Sequence, residues 1–186
     1  MVKFVENNFK HNGDRLKMSF AAIQAAIYAQ IDREYEGAKI VHSIWMRKVA
    51  ERELSRRGDA SRRTESTNYE FRLEFTGIAF TCRWIRVQFV KRGSKTIRVV
   101  KAIATPREGK YKRAQFKHAR EWELEMIEEM EDVLYSHRSV VKNLMKSHFH
   151  LLAASKHSHE PLKSIPIKER VIPITASIKG YKEKLS

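Results

Sequence analysis

Apolar residues recur every three or four positions through the first quarter of the chain: Leu16, Phe20, Ile23, Ile27, Ile31, Tyr35, Ala38, Val41, Trp45 and Val49. That spacing keeps them on one face of an α-helix and predicts a long helix over 15–57, N-capped by Asp14. Arg56, Arg57 and Gly58 supply its end, cations near the carbonyl terminus and Gly just past it. Gly37 costs about 1 kcal/mol relative to Ala in a helix and predicts a kink or break. Between 58 and 67 nothing apolar is larger than Ala60, so the segment reads as a loop, with Arg62 and Arg63 placed to touch phosphate.

The period then changes to two. Tyr69, Phe71, Leu73 and Phe75 alternate with polar residues, which predicts a strand with one buried face. Gly77 turns the chain into a second strand, where Phe80, Cys82 and Trp84 share a face before the apolar set jumps to Ile85, Val87 and Phe89. That jump of phase predicts a β-bulge between Trp84 and Ile85, bringing Arg83, Arg86 and Gln88 to one polar face with Arg98 and Arg72. Gly93-Ser94, flanked by β-branched and aromatic runs, predicts a tight hairpin into a third strand. From Ala114 the helical period returns through Phe116, Ala119, Trp122, Met126, Met130, Val133 and Leu134, and continues to Ala154. It is either one long helix or two broken near Ser136 and His137. Pro161, Pro166 and Pro173 forbid a further long helix.

The fold class that follows is α+β: a long N-terminal helix, a three-stranded antiparallel meander over 69–104, a C-terminal helical hairpin over 114–154, and an extended tail. Residues 1–156 form one domain and 157–186 the proline-containing tail. Trp84, Ile85, Phe71 and Phe75 are expected to face Trp122, Met126 and Phe20, leaving the arginine side of the sheet open.

Charge changes the picture. The formal net charge is +15 and the pI near 10.0. From Arg83 to Lys117 stand 12 Lys or Arg against one acid, Glu108. Basic charge concentrated on a strand-forming unit suits a phosphate backbone better than the competing explanation, a solvated face in a generally basic protein. The candidate DNA-binding residues are Arg83, Arg86, Arg92, Lys95, Arg98, Lys101, Lys110, Lys112, Arg113 and Lys117. Lys112 and Arg113 are expected near a helix N-terminus, which itself favours phosphate. Seven acids and no base lie between Glu121 and Asp132, which reads as a solvated acidic counterweight.

Other chemistry is sparse. No apolar run of 18 residues, signal peptide or lipidation motif appears, which points to a cytoplasmic protein without a membrane partner. The lone Cys82 cannot form an internal disulfide and reads as a small buried hydrophobe. Walker, GxGxxG, GxSxG and CxxC motifs are absent, so neither cofactor nor catalytic residue is expected. His148-Phe149-His150 has the spacing of a metal pair of a DNA-nicking relaxase. On a helix, however, positions two apart diverge by about 200°, so no metal site is expected. His157 and His159 add little. Dimerisation through the long helices stays open.

Cys82-Arg-Trp-Ile-Arg86, the basic hairpin, the Tyr111 segment and the Phe116-x-x-Ala-x-x-Trp-Glu123 helix start with its acidic run resemble the MobI family of conjugative-transfer proteins. The likeness covers about residues 78–155 and takes nothing from the first 68 residues or the tail. It implies a bacterial, non-enzymatic auxiliary that binds double-stranded DNA at the origin of transfer beside a separate relaxase. A binder of structured RNA attracts the same cations and is the alternative; the absence of an exposed Phe and Tyr pair argues against a single-stranded RNA platform. A metal-dependent nicking enzyme built on His148 and His150 ranks last.

Overall fold

The computed structural model describes residues 19–62 and 66–186. Helix α1 spans Phe20–Ser55, with Ser19 as N-cap, its Oγ accepting from Ala22 N–H at 3.2 Å. The expected start at Arg15 and its Asp14 cap lie outside the described residues. Ile27, Ile31, Tyr35, Ala38, Val41, Trp45 and Val49 are buried, as the periodicity requires. The helix runs through Gly37 without a break. A Cβ there would stand 2.6 Å from His137 Cε1, so the missing side chain lets a second helix approach.

That second helix, α2, spans Glu121–Ser155 without interruption. The expected helical hairpin is therefore a single helix, and its antiparallel partner is α1. Arg52 lies over the Trp122 ring at 4.8 Å, Lys48 pairs with Glu129 at 3.3 Å, Glu34 bonds His137 at 2.6 Å, and Tyr28 packs on His148 at 5.2 Å. The partner of His137 makes the Ser136-His137 step an ordinary helical turn. The helix starts later than Ala114 because the preceding segment is tied down. Lys112 N–H donates to Gln115 Oε1 at 3.0 Å, Asn68 Nδ2 to the His118 carbonyl at 2.8 Å, and His118 N–H to Tyr69 Oη at 3.2 Å.

Strands β1 (Tyr69–Thr76), β2 (Ala79–Arg92) and β3 (Lys95–Ala102) form an antiparallel meander in the order β1-β2-β3. Gly77 and Gly93 open the two turns with φ of +58° and +59°, a region that an L side chain disfavours and that two-residue hairpin loops need. No bulge separates Trp84 from Ile85. Phe71 pairs with Trp84, Glu70 with Ile85 and Tyr69 with Arg86 in unbroken register. Trp84, Ile85 and Val87 are nevertheless all buried, at 0, 4 and 8% exposure, while Phe89 at the far end of the second set is 67% exposed. The covered side of the strand changes here instead of the register: Val87 lines a cleft with Met46, Val49 and Ile178, on the face opposite Trp84.

Trp84 packs edge-on against Trp45, Phe71 and Phe116, with ring centroids 4.9, 5.3 and 5.6 Å apart. Phe75 packs on Tyr35 at 5.2 Å. Trp122 and Met126 line a hollow with Lys48 and Arg52 of α1, and Met126 also packs against the core. The inward stripe of α2 is displaced by about one residue, to Glu123, Ile127, Met130, Glu131 and Leu134, because two glutamates point into the molecule. Residues 157–186 run mainly extended, with one 3-10 turn at Ile167–Glu169 and a terminal helix α3, Ile178–Leu185. Tyr28 Oη accepts from Ile165 N–H and Tyr35 Oη from Ile174 N–H, both at 2.9 Å. Arg170 pairs with Asp32 at 2.9 Å and donates to the Ile78 carbonyl at 2.8 Å, so the segment straps α1 to the first β-turn.

Candidate nucleic-acid interface

β1 stops pairing β2 at Tyr69 and Arg86, with one further bond from Val87 N–H to the Asn68 carbonyl at 2.8 Å. Beyond that point β2 and β3 continue alone, and every residue over 88–102 is exposed. They form a two-stranded ribbon projecting from the domain. Its root is pinned from below by a buried acid. Glu123, with 0% exposure, accepts from Asn68 and Tyr69 N–H at 2.8 and 2.7 Å. Burial pushes its carboxyl up to about 7, outweighing those N–H donors.

The register sorts the ribbon's side chains by face. Arg86 pairs with Lys101, Gln88 with Val99, Val90 with Ile97 and Arg92 with Lys95, all on one side. Arg86, Lys101, Arg92 and Lys95 make no ion pair with any described residue. Arg86 is half-buried and its Nε lacks a hydrogen-bond partner. The opposite face carries Val87 with Val100, Phe89 with Arg98 and Lys91 with Thr96. Arg83 belongs to that second face, so the expected gathering of Arg83 and Arg86 on one side does not occur; without a bulge, odd and even residues of β2 diverge.

The arginine side of the sheet is also less open than expected. Arg98 donates to Glu70 at 2.7 Å, Arg83 pairs with Glu74, and Arg72 stands 3.5 Å from Glu70. These acids alternate with Arg72 along β1, a pattern present in the sequence. The cations after the ribbon are likewise engaged. Lys110 pairs with Asp132 at 2.5 Å, Lys112 with Glu108 at 3.1 Å, and Arg113 with Glu121 and Glu128 at 2.6 and 3.2 Å. Lys112 and Arg113 adjoin only a three-residue 3-10 turn, well before the start of α2. Lys117 is exposed and unpaired among the described residues. The ten candidates thus divide into five neutralised cations and five free ones, four of the free ones on a single face.

Of the seven acids over 121–132, two are structural. Glu131, 2% exposed, accepts from Trp84 Nε1 at 2.9 Å and Tyr111 N–H at 2.8 Å, and pairs with Arg138. Burial raises its carboxyl against the nearby Arg138 guanidinium. Cys82 is buried and its thiol is pushed up to about 12, as befits a small core residue. His148 is fully buried, 3.2 Å from Ser164 Oγ, whereas His150 is exposed, so the two do not converge. Among the described residues no three His, Cys, Asp or Glu gather as a metal site, and no helix is long and apolar enough to cross a membrane.

An antiparallel helix pair packed on a meander, with a basic β-ribbon projecting from it, defines the class: an α+β protein with one concentrated cationic feature. The family model described as MobI protein matches residues 35–152, more than half of the chain, and the chain belongs to the MobI family of conjugative mobilisation. The match reaches back to Tyr35 and so includes the second half of α1, which the sequence motifs do not cover. No curated protein and no solved structure matches the chain.

Proposed function

We propose that this protein is a DNA-binding auxiliary of conjugative transfer that acts at the origin of transfer beside a separate relaxase and does no nicking itself. The observation that carries this is the ribbon face on which Arg86 opposes Lys101 and Arg92 opposes Lys95. Like charges directly opposite on adjacent strands destabilise a sheet, and a polyanion removes that penalty. Six residues separate the two pairs along β2, about 20 Å at strand rise, more than the roughly 12 Å width of the major groove. The end cations then reach phosphates on both sides of the groove, while Gln88, Val90, Ile97 and Val99 lie over base edges and thymine methyl groups. The protein works in the cytoplasm of a bacterial donor cell.

The test is binding of the purified protein to its element's own transfer origin, random duplex and structured RNA at several salt concentrations. The origin fragment should bind tightest. Gln88→Ala, which removes a base-edge contact, should narrow the gap between origin and random duplex by about 1–3 kcal/mol, whereas Arg86→Ala should weaken binding to both. Equal affinity for all three nucleic acids, or tightest binding to RNA, would contradict the reading.

A further inference from the structure

Helix α2 changes character along its length. Seven acids stand over 121–132, whereas no Asp or Glu occurs from Val133 to His159. In that second part Tyr135, Lys142, Lys146 and Phe149 are all exposed, Phe149 at 57%. At 3.6 residues per turn the four fall within about 60° of one another and extend over about 21 Å, so they form one stripe of rings and cations. The buried side of this part of the helix is carried by Val141, His148 and Leu151 instead.

All four stripe residues line a cleft of about 910 Å³, and Arg107 from the segment after β3 lines it too. Arg107, Lys142 and Lys146 are exposed and have no ion-pair partner among the described residues. The one acid in the lining, Glu108, already pairs with Lys112 at 3.1 Å. The cleft therefore presents uncompensated positive charge with an exposed ring at either end of its helical wall.

We infer that this cleft binds single-stranded DNA, with bases stacked on Tyr135 and Phe149 and phosphates held by Lys142, Lys146 and Arg107. A positively charged groove with ring faces along it takes unpaired strands, because every base has a π-face whatever its identity. In a duplex those faces are already stacked on one another, and an acidic peptide supplies charge without a planar ring at each unit. The volume is that of a pocket for a drug-sized ligand, a scale that suits a few nucleotides. Every contact is made by a side chain that stands in solvent, and the ribbon face takes no part. The biological meaning rests on the transfer role proposed above, in which a relaxase nick frees one strand.

The experiment measures fluorescence anisotropy of labelled decathymidylate with the full-length protein, beside an abasic decamer of the same phosphates, decauridylate and decaglutamate. Decathymidylate should bind about fivefold or more tighter than the abasic decamer. Phe149→Ala should remove that preference and Phe149→Tyr should retain it, with circular dichroism checking that both remain folded. Lys142→Gln with Lys146→Gln should lower the slope of log affinity against log salt by up to about 1.4. The ribbon variant Arg92→Ala, Lys95→Ala, Lys101→Ala should keep the preference for decathymidylate, so a failure of the ribbon reading and a failure of this one are distinguishable. Equal binding of the abasic decamer, or a preference that survives Phe149→Ala, overturns the inference. Tighter binding of decaglutamate or of decauridylate also overturns it and assigns the cleft to an acidic peptide or to RNA.

Discussion

The ribbon and the segment that follows it are equally basic in sequence but differ in what their charges face. Arg92, Lys95 and Lys101 stand in solvent with no ion-pair partner among the described residues, and Arg86 at the ribbon's root has none either. Lys110, Lys112 and Arg113 lie against the acidic start of α2 and Glu108, each within 3.3 Å of a carboxylate. A count of lysines and arginines measures total charge; binding of a polyanion depends on charge that is not already matched. Exposed pairs contribute little to stability, typically about 0–1 kcal/mol. Their larger consequence is to lower the potential of the segment they neutralise.

The largest expected effect concerns the platform under both regions. Glu131 joins Trp84, Tyr111 and Arg138 in the interior. Glu131→Ala leaves the Arg138 guanidinium buried without its carboxylate, and chemical denaturation should show a loss of about 3–5 kcal/mol. A loss below about 1 kcal/mol would mean that the segment near Tyr111 is held by other interactions.

Next comes the anchor of the ribbon root. In the unfolded chain Glu123 titrates near its ordinary 4.5, and in the folded protein near 7. The folded state therefore holds the proton more tightly. The stability this contributes is full below pH 4.5 and is lost as pH rises to about 7. The stability of the parent relative to Glu123→Gln should fall across that window by up to about 3 kcal/mol. His42, pushed down to about 4 by burial, has the opposite trend in both proteins and cancels in the difference. A pH-independent difference would contradict the assignment.

The smallest effect sharpens the contrast directly. Glu121→Gln with Glu128→Gln releases Arg113 from both of its partners. If neutralisation is what silences the segment, the variant should gain up to about 0.9 in the slope of log affinity against log salt. An unchanged slope would mean that Arg113 lies outside the reach of DNA whatever its partners.

Much of this fold was legible. The stripe of α1, the three strands and the two glycine turns each follow from a local period or a local φ requirement. The unbroken register was not, because a strand's apolar pattern shows which residues are buried but not which side covers them. At Trp84 and Ile85 the cover changes sides, and the sequence alone cannot distinguish that from a bulge. Glu123 and Glu131 were illegible for another reason: acids in a helical run usually face solvent, and nothing nearby in sequence announces Asn68, Tyr69 or Trp84 as their donors. The neutralisation of Lys110 by Asp132 likewise depends on residues far apart in the chain. The matching of Arg83 by Glu74 and of Arg98 by Glu70 was within reach, since Glu70, Arg72 and Glu74 alternate on one face.

If the free face of the ribbon holds the DNA, and the basic segment after it does not, two triple variants should differ in the salt dependence of binding to the transfer-origin duplex. One carries Arg92→Ala, Lys95→Ala and Lys101→Ala; the other carries Lys110→Ala, Lys112→Ala and Arg113→Ala. At about 0.9 for each phosphate no longer neutralised, the ribbon triple should lower the slope of log affinity against log salt by about 2.7. The other triple should change it by less than about 1. Equal reductions from the two triples, or a larger reduction from the second, would place the DNA on the segment after the ribbon and contradict this assignment.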